Sequence, residues 1–292
     1  MPSDCPYCRD KCTNRRTSGT HFVRFGFFYR TGDSRWIQRF RCQSCGVTCS
    51  RATFNRWFRH KKRLKNLALK KHFASSGTIR RAARTFSLNR KTVARKLEIL
   101  GFEAECNLRM DNISHPKCRV IEFDDLETFE HSKCKPISVT LAVEHRSRRI
   151  LGIEVSRMPA KGLLVKRAHK YGPRADERHL GRKRLFKGLK DLVTENVVIK
   201  SDMNPHYTKD VKRYFPSAKH KVYEGKRGSL GGQGELKKVK FDPLFSLNHT
   251  CGMLRANISR LVRKTWCTTK RIDRLHAHLM VYATYHNEYL TK

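Results

Sequence analysis

Two sets of residues have the types and spacing to do chemistry: paired cysteines in the first fifty positions, and aspartates that end apolar runs further along. Cys5-Pro6-Tyr7-Cys8 and Cys42-Gln43-Ser44-Cys45 are C-x-x-C pairs with 33 residues between them. A two-residue spacer turns both sulfurs toward one ion, and zinc takes four thiolates in a tetrahedron without redox chemistry. The stretches between the pairs, His21 to Tyr29 and Trp36 to Cys42, read as strands. The expected unit is therefore a zinc ribbon over residues 1–50, with Cys5, Cys8, Cys42 and Cys45 as Zn²⁺ ligands. Cys12 and Cys49 are spare core or surface thiols on this reading. The chain has eleven cysteines, and Met1-Pro2-Ser3-Asp4-Cys5 lacks the charged-then-apolar layout of a signal peptide. Both points favour metal sites over disulfides and a cytoplasmic location.

The aspartates lie on a strand pattern. Residues 118–124, 137–143, 149–155 and 196–202 read as four strands, the first three antiparallel and the fourth following a basic helix at about 178–194. In this RNase H-like order the first and fourth strands are neighbours, so Asp124 and Asp202 are expected to converge at their C-terminal ends. Two carboxylates there can bridge Mg²⁺ ions about 4 Å apart, which activate a nucleophile and stabilise the leaving oxygen. A helix at 208–214, a strand at 220–223 and a long helical region from near Pro243 complete this α/β part, residues 116–292. Its glycine-rich stretch Glu224 to Gly234 lacks the strand-to-helix setting and Gly-Lys-Ser/Thr ending of a nucleotide loop, and reads as a mobile loop.

Ahead of this domain, residues 51–110 read as a helical DNA-binding segment. Residues 51–75 form one or two basic helices. Thr78 to Phe86 and Arg90 to Leu97 are short amphipathic helices joined by Ser87-Leu88-Asn89. Ile79, Leu88, Val93 and Leu97 would share a core. Arg90, Lys91, Thr92, Arg95 and Lys96 would lie outside, as in a helix-turn-helix whose second helix enters the major groove. Gly101 and Ser114-His115-Pro116 suggest a boundary near 100–116.

Charge says where the partner is. Lys and Arg number 64 against 25 Asp and Glu, a net +39 on 292 residues. Such an excess repels itself unless a polyanion binds, and duplex DNA is the usual one. No stretch reaches the roughly 20 apolar residues of a membrane span. Residues 1–100 hold 25 bases and 4 acids, more than half of the excess. Between Glu103 and Glu130, by contrast, eight acids face three bases, an island that invites a chemical explanation.

These motifs together resemble the DDE-type transposases of bacterial insertion sequences, in particular the insertion-sequence-one type, over nearly the whole chain. Phe123-Asp124-Asp125 resembles the first catalytic motif and Ser201-Asp202-Met203-Asn204-Pro205-His206-Tyr207 the second. Asn248-His249, Leu254-Arg255, Arg260-Leu261 and Arg263-Lys264-Thr265-Trp266-Cys267 resemble the third region. The resemblance implies a multidomain transposase: an N-terminal zinc ribbon, a helix-turn-helix and an RNase H-like catalytic domain. It would bind terminal repeats and target DNA, act as a homo-oligomer on DNA, and use Mg²⁺ at Asp124 and Asp202. Arg255, Arg260, Arg263 and Lys264 would grip the phosphates. In that family a Glu stands two residues before the Asn; here the position is Ser246. Asn248 or His249 could supply the third group, Asp242 could swing in despite its fit as a helix cap before Pro243, or the site could be weakened or dead. In the last case the chain would be a DNA-binding regulator descended from a transposase.

Overall fold

A computed structural model describes residues 5, 22–31, 34–54, 57, 60–224, 242–262 and 268–291. Cys8, Arg263, Lys264 and all of the glycine-rich stretch except Glu224 lie outside them. By compactness the chain divides into Met1–Lys65 and Asn66–Lys292.

The first unit is a three-stranded antiparallel sheet, β1 (Phe22–Arg30), β2 (Arg35–Cys42) and β3 (Thr48–Ser50), in the order β1-β2-β3. After β2 the chain turns sharply. The Cys42 carbonyl accepts from the Gly46 N–H, and Gly46 has φ +71°, a conformation that costs a glycine little. This turn sets Cys42 and Cys45 side by side. The core is small: Cys5, Phe22, Phe40, Cys42 and Cys49. β1 otherwise faces solvent, with Phe27 58% and, on β2, Trp36 70% exposed.

The second unit begins with three helices, α1 (Asn66–Ala74), α2 (Ile79–Thr85) and α3 (Arg90–Ser114). Thr78 Oγ1 caps α2 by accepting from Arg81 N–H, and Asn89 Oδ1 caps α3 by accepting from Lys91 N–H. Ala82, Ala83, Leu88, Val93 and Leu97 are buried between them. Two sequence expectations change here. α3 does not stop near residue 100 but runs to Ser114. Gly101 lets it approach a later helix so closely that a Cβ there would meet the Ala277 Cβ at 2.4 Å. Lys96 is not on the outer surface; it is 5% exposed and its Nζ donates to Asn66 Oδ1 at 2.5 Å. Burial lowers its pKa.

The rest is a mixed five-stranded sheet of β4 (Cys118–Phe129), β5 (Pro136–Glu144), β6 (Ile150–Arg157), β7 (Val193–Asp202) and β8 (Lys219–Tyr223). Their order is β6-β5-β4-β7-β8. β4–β5 and β5–β6 are antiparallel; β4–β7 and β7–β8 are parallel, a broadly RNase H-like topology. Short α4 (Leu164–Ala168), then α5 (Arg178–Leu189) and α6 (Pro205–Tyr214), follow β6 and β7; α7 (Phe245–Asn257) and α8 (Ile272–Tyr289) close the unit. Strand alternation divides the apolar residues. Ile121, Phe123 and Ile199 pack with Phe186 of α5 and Tyr207 of α6. Leu126, Val139 and Leu141 pack with Leu247 and Leu254 of α7 and with α8. The region after Pro243 is not one long helix: α7 ends at Asn257 and a 3₁₀ turn follows at Ser259–Leu261. No helix among the described residues is long and apolar enough to cross a membrane.

Candidate metal and carboxylate sites

Three thiols of the first unit converge. The sulfurs of Cys5, Cys42 and Cys45 lie within 4.8 Å of one another, with Cys5 and Cys45 at 3.7 Å. A tetrahedron with metal–sulfur bonds of about 2.3 Å has edges of about 3.8 Å, so the spacing fits a thiolate-bound zinc. Cys49, read from the sequence as a spare, belongs to the same core. Burial raises its thiol pKa, as do Cys5, Cys42 and Cys45 beside it. Its signal was weak because it stands outside the C-x-x-C spacing.

The acidic island resolves into ion pairs with one exception. Glu103 meets Lys70, Glu105 meets His276, Asp111 meets His115, and Glu122 meets His145. Asp125 meets Arg182, Glu127 meets Lys161 and Glu130 meets Arg174. Asp124 has no such cation among the described residues. Its Oδ1 accepts from the Tyr207 hydroxyl at 3.1 Å and from Asp125 N–H at 2.7 Å. Parallel pairing matches Glu122 with Lys200; two residues further along both strands come Asp124 and Asp202, on one face of the sheet. Burial and the Asp202 charge raise the Asp124 pKa to about 7. Asp202 is also raised, by burial and by the nearby Asp125 charge, although the Asn204 N–H it accepts opposes this. The pair does not form at two strand ends as expected. Asp202 closes β7, but Asp124 is mid-strand, because β4 continues against β5 as far as Phe129↔Pro136.

Asp125 points to the other face, where Thr140 Oγ1 donates to it at 2.5 Å. Arg182, which is buried, links it to Asp210. Tyr207 was not foreseen as part of the site. It is 1% exposed, and burial with the surrounding Asp125, Asp124 and Asp202 charges raises its pKa, so it stays a donor to Asp124.

The α7 residues sit differently from the sequence expectation. Asn248 Nδ2 donates to Asp242 Oδ2 at 2.7 Å, and Asp242 Oδ1 accepts from Leu244 N–H. The His249 ring lies 3.2 Å from Arg148 Nη1 and meets the Phe245 ring at a 45° tilt; burial and Arg148 lower its pKa. Neither His249 nor Asp242 completes a group of three with Asp124 and Asp202 within 4.8 Å. The α7 side chain beside Asp124 is Cys251, whose thiol is pushed up to about 12 by burial and by the Asp124 charge, with Arg255 opposing. Arg255 is exposed nearby, and Arg260 is half-buried.

Ser246 is turned elsewhere. It is 2% exposed, and its Oγ accepts from the Arg146 N–H at 2.8 Å. A glutamate here would bury a charge and break that bond. Ser246→Glu is expected to lower the unfolding free energy by about 3 kcal/mol without raising any metal-dependent activity. Chemical denaturation reads the first part; a gain in DNA cleavage would reverse the second.

In the helical segment, Arg90, Lys91 and Arg95 are exposed along the first turns of α3 and Thr92 is half-buried.

No family model and no curated protein matches the chain. Among solved structures, the crystal structure of a pre-cleavage Mos1 transpososome is similar over 78% of this chain and 78% of that one, at 10% identity and a TM-score of 0.20.

Proposed function

We propose that this chain is a DNA transposase that hydrolyses a phosphodiester at the element end and transfers the freed 3′-hydroxyl to target DNA. One observation carries the reading: of the eight acids in the island, seven face a base, whereas Asp124 faces Asp202. Two carboxylates held together in a protein of net charge +39 have no structural use, since each raises the cost of ionising the other. A divalent cation removes that cost. Asp124 and Asp202 would hold Mg²⁺, which supplies Lewis-acid activation when bound. Tyr207 fixes the Asp124 rotamer through its hydroxyl. On α7, Asn248 has an oxygen to offer a hard cation once it leaves Asp242, whereas the Cys251 sulfur suits softer ions.

The thiolate cluster supports a structural Zn²⁺ in the ribbon. Arg90, Lys91, Thr92 and Arg95 support a recognition helix for terminal repeats, and Arg255 and Arg260 a phosphate grip. Two or more protomers would join on DNA, in the cytoplasm and on the nucleoid. A second reading, a catalytically inactive regulator, is favoured by Ser246, which faces Arg146 rather than the pair. A strand-cleavage and strand-transfer assay on cognate ends with Mg²⁺ or Mn²⁺ separates the two. Asp202→Ala is expected to reduce turnover on the order of 10³-fold. Equal inactivity of the wild type and the variant decides for the regulator.

A further inference from the structure

The face of the sheet that carries Asp124 and Asp202 does not end with them. One pleat row below, about 7 Å at 3.3 Å per residue, lie Glu122, Lys200 and Lys221 side by side across β4, β7 and β8. Beyond this row opens a cavity of about 590 Å³, lined among others by Lys117, Arg119, His145, Arg146, Lys200 and Lys221. That is room for roughly 20 waters at about 30 Å³ each, far more than a single ion needs. Of its five lysines and arginines, Lys117, Arg119, Arg146 and Lys221 make no ion pair among the described residues. The two carboxylates nearby are committed. Glu144 is bound to Arg149 and Ser147, and Glu122 to His145 and the Leu247 N–H.

One wall is strained. In the turn between β5 and β6, Arg146 has φ +72° and Arg148 φ +64°. Each such residue carries a conformational cost that glycine or asparagine would largely avoid. The turn is held from three sides: His145 N–H donates to the Val120 carbonyl, Arg148 N–H to the Glu144 carbonyl, and Arg146 N–H to Ser246 Oγ. A costly conformation kept at an arginine, and latched from a helix 100 residues away, is hard to explain as a mere connection. It keeps a cation at the mouth of the cavity.

We propose that this cavity is a phosphate-binding site for a nucleic-acid strand that runs past the carboxylate pair, and that Ser246 is the positioning residue that presents Arg146 to it. The assignment rests on the reading that the partner is DNA. Unpaired cations at this density call for a polyanion, and their position on the carboxylate face gives one strand both contacts. Ser246, then, stands where the resemblance implies a carboxylate because the latch needs a small hydroxyl.

The test is the salt dependence of binding to a 20-base-pair duplex by the full chain, without added divalent cation. Each phosphate contact contributes about 0.9 to the slope of log affinity against log salt. Arg146→Gln with Lys221→Gln is expected to flatten the slope by about 1.8, and Ser246→Ala by up to about 0.9, with melting curves confirming that both variants fold. Unchanged slopes in folded variants overturn the strand contact. Inorganic phosphate, followed by ³¹P line broadening, distinguishes the source. Broadening that these variants abolish, with unchanged duplex slopes, assigns the cavity to a free anion and overturns the strand. Because binding is read without metal, a chain that loses slope as expected but never cleaves DNA overturns the catalytic reading alone.

Discussion

Asp124→Asn is expected to make the protein more stable and less active at once. With its pKa raised to about 7, the Asp124 carboxyl holds its proton far more tightly in the folded chain than in the unfolded one. The sign follows from that difference. Below the unfolded value near 4 both states are protonated and nothing is lost. Between pH 4 and 7 the unfolded chain ionises first, so stability falls as pH rises, and above 7 the full penalty remains. At pH 8 without Mg²⁺ the substitution is expected to raise the unfolding free energy by about 2–3 kcal/mol, from a shift of about three units at 1.4 kcal/mol each, reduced for incomplete burial. The amide keeps the oxygen that accepts from Tyr207 and Asp125 N–H, so the gain is not spent on a lost bond. Denaturation midpoints at pH 4.5 and pH 8 read the effect; a variant no more stable at pH 8 would show that the two carboxylates do not strain the fold. In the Mg²⁺ assay the same variant is expected to lose activity on the order of 10³-fold.

Zinc removal is expected to unfold Met1–Lys65 and to leave Asn66–Lys292 folded. Among its described residues the first unit has a core of Phe22, Phe40 and three cysteines, while its aromatic strand faces solvent. So small a core does not sustain a fold without its metal, and structural zinc contributes an apparent ~10–16 kcal/mol. The second unit has large cores on both faces of its sheet. Hydrogen exchange after chelation should lose protection over Phe22–Cys42 and retain it over β4 and β7; Cys42→Ser should behave as the chelated protein does. Protection that survives in β1 and β2 would mean the thiols do not hold a structural ion.

Much of this architecture was legible because local pattern decides it. The apolar runs in β4, β5 and β7 fixed their strands to within a few residues, and C-x-x-C spacing singled out Cys5, Cys42 and Cys45. That β4 and β7 would be neighbours, with Asp124 and Asp202 on one face, was legible from strand order alone. What was hidden depends on partners far along the chain. Lys96 looked like a surface lysine because Asn66, which buries it, stands 30 residues earlier. Gly101 looked like a helix stop because Ala277, which requires it, is on another helix. The ion pairs that account for most of the acidic island join residues up to 171 positions apart, as in Glu105 with His276. Ser246 could be seen to lack a carboxylate, but not that its hydroxyl was already engaged by Arg146.

The brace between α3 and α8 has a consequence for biosynthesis. His278 Nε2 bonds the Phe73 carbonyl at the end of α1, and Thr284 Oγ1 donates to the Ala104 carbonyl of α3. The partners are 205 and 180 residues apart. At about 5–20 residues per second, a ribosome needs ~10–40 s to make the stretch between them. During that interval α3, which carries Arg90, Lys91 and Arg95, exists without its backing. A nascent or truncated chain would therefore present its basic residues on an unsupported segment, and the duplex binding proposed for α3 would wait until residues 272–289 had left the exit tunnel.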